Sequence, residues 1–330
     1  MESITTETTT EGPPDEFHDS LEPERRLEPN AATRATAAAA AAIATGAWFS
    51  LSGAETSNAS PNSATQHAVE GLVERGFPAA LAAVTATGGK ITGYAAGVAD
   101  RDTGKAADAD GYVRIGSNTK TYTVVVVLQL VEEGLIELDA PIDTYLPGLV
   151  HGEGIDGSVI TVGSCCNTPL GFPSTPKLWR ATSSGFRDVY TSPRDLRDAA
   201  LETPGPFAPG ERWEYINTGY IVLGLLVERV TQRPLFEQVN ERIVERLGLE
   251  ETYFPGVGER KIRGEHPKGY HTDATGKLVG ISALDPSWGW SAGQVVPTPA
   301  DLNRFMRGIR RRPRCNGRRH RTAVDDHRRR

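Results

Sequence analysis

The sequence predicts an α+β protein in which an antiparallel sheet is flanked by helices and accompanied by an all-helical lobe. Residues 66–76 carry apolar side chains at helical spacing, and two strand-like segments, 79–88 and 91–98, follow directly. Residues 219–231 and 235–247 again place apolar side chains at helical spacing. A helix followed by a hairpin indicates a sheet covered by a helix, and the two later patterns indicate the second lobe.

Glycines bound the first helix and the hairpin. Val69, Leu72 and Val73 fall on one helical face, and Gly76 follows them as a stop signal. Gly88-Gly89-Lys90 separates the two strand-like segments and is typical of a hairpin turn. The sequence therefore predicts a helix that ends at this first glycine and two antiparallel strands joined by the second.

The N-terminal part of the chain has a different composition. Residues 1–33 are polar, acidic and rich in Pro, Thr and Glu, so we expect a disordered or untranslated leader. Residues 34–54 combine Arg34, an apolar stretch and the small residues Ser52-Gly53-Ala54, which is typical of a secretory signal. We therefore predict a secreted, extracytoplasmic protein, with an alanine-rich surface helix as the alternative for this stretch. No other stretch reaches the roughly 18 apolar residues of a membrane span, so no integral membrane segment is expected in the mature chain.

Ser117-Asn118-Thr119-Lys120 is the segment with the most specific chemistry. A serine hydroxyl needs a base within hydrogen-bond reach before it can attack a carbonyl. Three residues bring a side chain back to the same helical face, so Lys120 can place its amine beside Ser117 at a helix start. Burial would favour the neutral amine, which accepts a proton. Tyr215-Ile216-Asn217 follows 95 residues after Lys120, and together the two segments indicate serine acyl transfer.

These segments resemble the serine β-lactamase and penicillin-binding superfamily, and within it the class C β-lactamase and DD-carboxypeptidase branch. The resemblance covers residues 66–308 and predicts a serine β-lactamase-like domain over residues 60–308. It also implies that the β-branched run Val124–Val127, which favours a strand by propensity, is a buried helix stopped by Gly134. The motifs that carry it are Val113-Arg114-Ile115-Gly116-Ser117-Asn118-Thr119-Lys120, Leu128 to Gly134, Tyr145-Leu146-Pro147-Gly148, Phe207-Ala208-Pro209-Gly210, Trp213 to Tyr220 and Leu247-Gly248-Leu249.

The resemblance implies a role for five residues. Ser117 is the acylated nucleophile, Lys120 its proton partner, and Tyr215 a phenol that shares the general acid and base work. Asn217 hydrogen-bonds the substrate amide, and Trp288 matches a substrate-contacting tryptophan. For the two aromatic residues, packing in the core is the alternative. The implied reaction is that of a D-alanyl-D-alanine carboxypeptidase acting on peptidoglycan-type peptides and binding β-lactams, with a class C-like β-lactamase or an esterase as alternatives.

A third motif of the family is missing. The resemblance implies Lys-Thr-Gly or His-x-Gly on a strand whose N–H helps to form the oxyanion hole, yet neither tripeptide follows Trp288. His320-Arg321-Thr322 comes nearest and lacks the glycine. The family continues with three strands and a closing helix, so the C-terminal sheet strands are expected to be missing. One oxyanion-hole donor contributes a factor of about 10²–10³ to turnover. The alternative is therefore that the chain is a catalytically inactive, truncated or binding-only relative.

Two segments look foreign to the rest of the chain. In residues 163–185 the family usually reads Arg-Gln-Leu-Leu-Gln/Asn-His-Thr-Ser-Gly, whereas this chain begins Gly163-Ser164-Cys165-Cys166. A one-base slip converts the first sequence into the second, so we hypothesise a local frameshift, which uninterrupted sequencing reads through both cysteines would contradict. The tail, 309–330, is rich in arginine and carries the third cysteine. Such a tail can bind phosphates, but we interpret it as out-of-frame sequence and expect no nucleic-acid partner.

No motif indicates a metal or a cofactor. Asp108-Ala109-Asp110-Gly111 is too short for a calcium loop, and the seven histidines have no zinc-binding spacing. We predict no metal, no cofactor and a monomer.

Overall fold

The computed structural model describes residues 61–167, 172, 188–273 and 275–310. These ranges do not include the expected leader or the signal-like segment. They also leave out most of the anomalous segment 163–185 and all but the first two residues of the tail 309–330. The interpretations of these four segments stay predictions. The helices are α1 (Pro61–Glu74), α2 (Thr119–Glu132), α3 (Val162–Asn167), α4 (Pro193–Leu201), α5 (Thr218–Thr231), α6 (Leu235–Val239), α7 (Glu245–Leu247), α8 (Trp290–Gly293) and α9 (Pro299–Arg310). The strands are β1 (Ala79–Thr85), β2 (Ile91–Gly97), β3 (His151–Gly152), β4 (Ile155–Asp156), β5 (Thr252–Tyr253), β6 (Tyr270–Thr272), β7 (Leu278–Gly280) and β8 (Val296–Pro297).

The predicted N-terminal helix and hairpin are confirmed. Strands β1 and β2 pair antiparallel, with Ala82 opposite Tyr94. Helix α1 packs on this hairpin and buries Val69 against Tyr94 and Ala80. Helix α9 also contacts both strands. The small alanine side chains of the hairpin allow these helices to approach closely, so the hairpin is packed against helices as predicted.

The outer edge of β1 has no strand beside it within the described residues. The N–H of Val98 donates to Pro78 at one end of the hairpin, and the N–H of Ala86 donates to Lys90 at the other. Because hydrogen-bonded pairs alternate along an antiparallel ladder, the intervening residues Leu81, Ala83 and Thr85 direct their backbone groups outward. The side-chain amide of Asn303 donates to the outward carbonyl of Ala83 at 2.6 Å. A side chain of α9 thus occupies one of the positions that a neighbouring strand would fill.

The main core lies in the predicted helical lobe. Its centre is the contact between α2 and α5, and the buried side chains come from these helices and from the segments that surround them. The run Val124–Val127 lies inside α2, so the helix implied by the resemblance is confirmed and the strand propensity of valine is overridden by burial. Gly134 adopts φ +74° just after the helix, the left-handed conformation that favours glycine at a helix stop.

The second helical pattern differs in one detail from the prediction. Residues 235–247 do form a continuous helical segment, but its middle, Asn240–Val244, is a π-helix between α6 and α7. A π-helix inserts one residue into the helical repeat and is not visible in apolar spacing. The predicted fold class, a small antiparallel sheet with helices and an all-helical lobe, is confirmed. Among the described helices, none has both the length and the apolar character that a membrane crossing requires.

Helix α4 begins with a capping box that offers a direct stability test. Ser192 accepts a hydrogen bond from the N–H of Asp195, whose carboxylate accepts one from the N–H of Ser192. Replacing Ser192 with Ala leaves one of these N–H groups without its acceptor, and we expect a loss of about 1 kcal/mol in the free energy of unfolding. Urea denaturation measures this loss, and an unchanged midpoint would show that the helix does not depend on its cap.

Candidate active site

Ser117 lies in a 3₁₀ turn, Gly116–Asn118, that leads directly into α2. Gly116 adopts φ +51°, a left-handed conformation that a side chain would strain, and this turn presents Ser117 at the surface. Lys120 follows in the first turn of α2, and its Nζ donates to Oγ of Ser117 at 3.1 Å. The structure therefore brings together the two residues that helical spacing had paired.

The amine of Lys120 is held in a dry environment. The residue is only 7% exposed, and Nζ also donates to the carbonyl of Ala292 at 3.0 Å. Burial lowers the pKa of Lys120 from its ordinary value to about 7, because the ammonium loses its hydration and gains no anionic partner. Near neutral pH the neutral amine, which can accept a proton, is thus much more populated than in an ordinary lysine.

Two tyrosine rings lie beside this amine. Nζ of Lys120 is 5.0 Å from the ring centroid of Tyr215 and 5.3 Å from that of Tyr220. Tyr215 is 50% exposed, so its side chain does not pack in the core. Tyr220 is partly buried, donates to the carbonyl of Cys166, and has its pKa raised to about 12 by burial. Sequence reasoning singled out Tyr215 but missed Tyr220, whose position in the motif Trp213 to Tyr220 was the available signal.

Asn217 and Trp288 come from two other elements. Asn217 occupies the N-cap position of α5, two residues after Tyr215, and its side chain is partly buried. Trp288 ends the 3₁₀ turn Pro286–Trp288 immediately before α8 and is 41% exposed. The exposed indole of Trp288 argues against the alternative of plain core packing.

Helix α8 and the segment that follows it are hydrogen-bonded to α2, the helix that carries Lys120. Oγ1 of Thr123 donates to the carbonyl of Ser291 at 2.7 Å, and the N–H of Val295 donates to Oγ1 of Thr119 at 3.0 Å. These residues are buried, so the hydrogen bonds are shielded from water. The carbonyl of Ala292 is therefore fixed relative to α2, and the Lys120 amine with it. Sequence reasoning could not find these contacts, because the partners are 168 and 176 residues apart.

A separate cluster brings together three possible metal ligands. Asp143, His151 and Asp156 place one ligand atom each within 4.8 Å of one another, near the short hairpin β3–β4. Nε2 of His151 hydrogen-bonds Asp143 at 2.9 Å, and Nδ1 lies 3.9 Å from Asp156. Motif spacing predicted no metal and did not reveal this group. The existing contacts form a hydrogen-bonded turn at the surface.

Comparison with known proteins identifies the family. The family model described as Beta-lactamase matches residues 64–330. The chain belongs to this beta-lactamase family. Esterase EstB of Burkholderia gladioli is 32% identical over 200 residues, which are 56% of this chain and 49% of the esterase. Penicillin-binding protein 4 of Amycolatopsis lactamdurans is 28% identical over 236 residues, covering 71% of this chain and 60% of that protein.

A solved structure extends the comparison to three dimensions. The beta-lactamase family chain superposes on a D-stereospecific amidohydrolase from Streptomyces sp. with a TM-score of 0.68 and 32% identity, over 75% of this chain and 72% of that one. The chain spans about half the length of the curated relatives that it matches. The similar proteins are hydrolases and penicillin-binding proteins, so the predicted resemblance is confirmed at the level of family and fold.

Proposed function

We propose that this chain is a serine acyl-transfer hydrolase that acts as a D-alanyl-D-alanine carboxypeptidase through an acyl-enzyme on Ser117, and that it binds β-lactams at the same site. The observation that carries the proposal is the pairing of an exposed Ser117 hydroxyl with a buried Lys120 amine at 3.1 Å. A pKa of about 7 suits Lys120 for general-base catalysis, since such a base works best near the operating pH.

Acylation follows from this geometry. Oγ of Ser117 attacks the carbonyl carbon of the scissile amide while its proton passes to the neutral amine of Lys120, and a tetrahedral oxyanion forms. The N–H of Ser117 is one candidate donor to that oxyanion, because the first N–H groups of a helical segment have no acceptor within the helix. Collapse of the intermediate breaks the C–N bond, and Tyr215 passes a proton to the leaving amine. The product is an ester of Ser117 and a free D-alanine.

Deacylation reverses these roles. Water attacks the ester carbonyl, its proton passes to the Lys120–Tyr215 pair, and the serine oxygen recovers a proton as the C–O bond breaks. In a β-lactam the cleaved amide lies within a ring, so the leaving amine stays attached to the acyl group. Asn217 and Trp288 are proposed to bind the substrate amide and its apolar surface. We further propose that the protein is extracytoplasmic, where peptidoglycan peptides occur, and monomeric.

A second candidate function is supported by the solved relative. The similarity to a D-stereospecific amidohydrolase, at 32% identity over three quarters of the chain, favours small amides or esters of D-amino acids as substrates of the same site. The chemistry is unchanged, and only the leaving group differs.

Covalent labelling tests the proposed function. The purified chain is incubated with a fluorescent penicillin, and its intact mass and the labelled peptide are determined, with Ser117→Ala as the matched control. We expect one adduct per chain on the peptide that contains Ser117 and none on the variant. Turnover of a D-alanyl-D-alanine peptide, a D-phenylalanine amide and a nitrophenyl ester then separates the first candidate from the second. Equal labelling of both proteins, or of neither while a penicillin-binding control is labelled, would contradict acyl transfer at Ser117.

A further inference from the structure

We propose that Trp290 and Gly224 together form a positioning element for the site: the indole of Trp290, seated over Gly224, holds α8 so that the carbonyl of Ala292 stays on the amine of Lys120. This inference rests on the proposed function for its activity readout, and it adds two residues that no sequence motif indicated. Neither residue reaches the substrate in this role. They act through the backbone of α8.

The first step concerns the backbone of Trp290. Its φ is +31°, one of only two positive values at non-glycine residues in the described part of the chain. A bulky aromatic residue disfavours this conformation, which persists only where the surrounding structure enforces it. Trp290 is only 8% exposed, so contacts of its side chain are available to enforce the turn. The turn directs the following residues, Ser291 and Ala292, into the space between α2 and α5.

The second step concerns the surface that receives the indole. Gly224 lies in the middle of α5, where a Cβ atom would stand 2.6 Å from Cζ3 and 2.8 Å from Cη2 of Trp290. The same Cβ would stand 2.9 Å from Cβ of Ser291. Real Cβ atoms do not approach other atoms this closely, so any side chain at Gly224 displaces either the indole or α8. The absence of a side chain at this position is thus what allows α8 to lie against α5.

The third step follows α8 to the amine. Oγ of Ser291 donates to the carbonyl of Tyr220 on α5 at 2.8 Å, and the carbonyl of Ser291 accepts from Thr123 on α2. The next residue, Ala292, supplies the carbonyl that accepts from Lys120 at 3.0 Å. A displacement of α8 by the width of a methyl group therefore changes the acceptor of the Lys120 amine and opens the amine to water.

The groups that face the amine make protonation a sensitive readout. The amine of Lys120 contacts Oγ of Ser117 in the serine turn and the carbonyl of Ala292 in α8. The ring of Tyr220 on α5 and the ring of Tyr215, in the segment before α5, also face the amine. None of these groups is a carboxylate or a second cation. Desolvation alone accounts for the lowered pKa of Lys120, so admitting water raises that pKa toward its ordinary value.

The test is Gly224→Ala, with Gly71→Ala in α1 as the matched control. A Cβ at Gly71 meets nothing within 4 Å, so the control adds the same methyl group to a helix without displacing a neighbour. The rate of penicillin acylation is measured from pH 5 to 10. We expect the midpoint of the rise in rate to move up by about one pH unit in Gly224→Ala, which is about a fivefold loss of rate at pH 7 that disappears above pH 9. Gly71→Ala keeps the wild-type midpoint.

Trp290→Leu tests the same element from the other side. A leucine side chain cannot fill the place of the indole over Gly224, so we expect the midpoint to rise as it does in Gly224→Ala, while the rate above pH 9 keeps the wild-type value. An equal fall in rate at every pH, or an unchanged profile in either variant, would overturn the proposal.

A second readout does not depend on activity. The titration of Lys120 is followed by NMR of isotopically labelled lysine, assigned by its absence in Lys120→Met. If the wild-type chain does not react with penicillin, the proposed function fails, while a raised Lys120 pKa in Gly224→Ala still supports the positioning element. An unshifted Lys120 titration in that variant overturns the positioning element whether or not the chain is active.

Discussion

Replacing Lys120 with Met is expected to slow acylation of Ser117 by penicillin by a factor of about 10²–10⁴, the usual contribution of a positioned general base. Methionine keeps the length and apolar stem of lysine but cannot accept a proton. The hydrogen bond to Ser117 at 3.1 Å is lost, while the fold keeps a side chain of similar volume in the buried site. Labelling kinetics by intact mass measure the effect, with Ser117→Ala as the reference for no reaction.

The same substitution is expected to stabilise the fold at acidic and neutral pH. The pKa of Lys120 is lowered to about 7 in the folded protein, so the unfolded chain binds its proton more tightly. Folding is therefore penalised in full below pH 7, and stability rises as the pH increases from 7 to the ordinary lysine pKa. Removing the amine removes a penalty on the order of a few kcal/mol. Urea denaturation at pH 6 and pH 10 should show a clear gain at the lower pH and little at the higher.

Lys261→Met is the matched control for both effects. Lys261 is exposed, so the same chemical change is made outside the site. We expect wild-type labelling and a change in unfolding free energy within about 0.5 kcal/mol. A Lys120→Met variant that labelled at the wild-type rate would show that the serine is activated by another group. A variant that was less stable than the wild type at pH 6 would contradict the desolvation of the Lys120 amine.

The second large effect is on stability. Phe305→Ala is expected to lower the free energy of unfolding by about 3–5 kcal/mol, because the side chain is fully buried and its removal leaves a cavity. Its ring stacks on Tyr122 with the centroids 3.7 Å apart, which joins α9 to the helix that carries Lys120. Such a loss is a large part of the total stability of a typical domain, so the variant should also unfold at a markedly lower temperature.

Phe236→Ala provides the comparison for this prediction. Phe236 is 49% exposed on α6, and the same truncation there should cost much less than at Phe305. Urea denaturation of both variants, followed by circular dichroism, measures the difference. Similar losses at the two positions would show that α9 does not pack on α2 as the structure describes.

The sequence was most informative where chemistry and local geometry coincide. Ser117 and Lys120 could be paired because three residues along a helix return to one face, a relation that holds before any tertiary contact forms. The hairpin β1–β2 was equally accessible, since its turn glycines and alternation are local signals. For Val124–Val127, intrinsic propensity pointed to a strand, and only the family resemblance indicated the buried helix that the packing of α2 against α5 enforces.

Tertiary contacts account for what the sequence could not show. The carbonyl of Ala292 that holds Lys120 is a backbone atom, and no residue type marks it. The fit of Trp290 over Gly224 requires two segments 66 residues apart to meet, and a glycine inside a helical pattern is an ambiguous signal. The cluster of Asp143, His151 and Asp156 depends likewise on a short hairpin that motif spacing did not reveal.

The outward-facing backbone of β1, which has no neighbouring strand within the described residues, makes protein concentration a condition to control in experiments on this chain. The strand Ala79–Thr85 contains no charged residue and no proline, the two features that commonly discourage one edge strand from pairing with another. If two copies pair through this strand in concentrated solution, the number of active sites found by titration falls and the melting temperature changes on dilution. Kinetics and unfolding should therefore be recorded over a dilution series, in which the intrinsic behaviour of the single chain is the limit at low concentration.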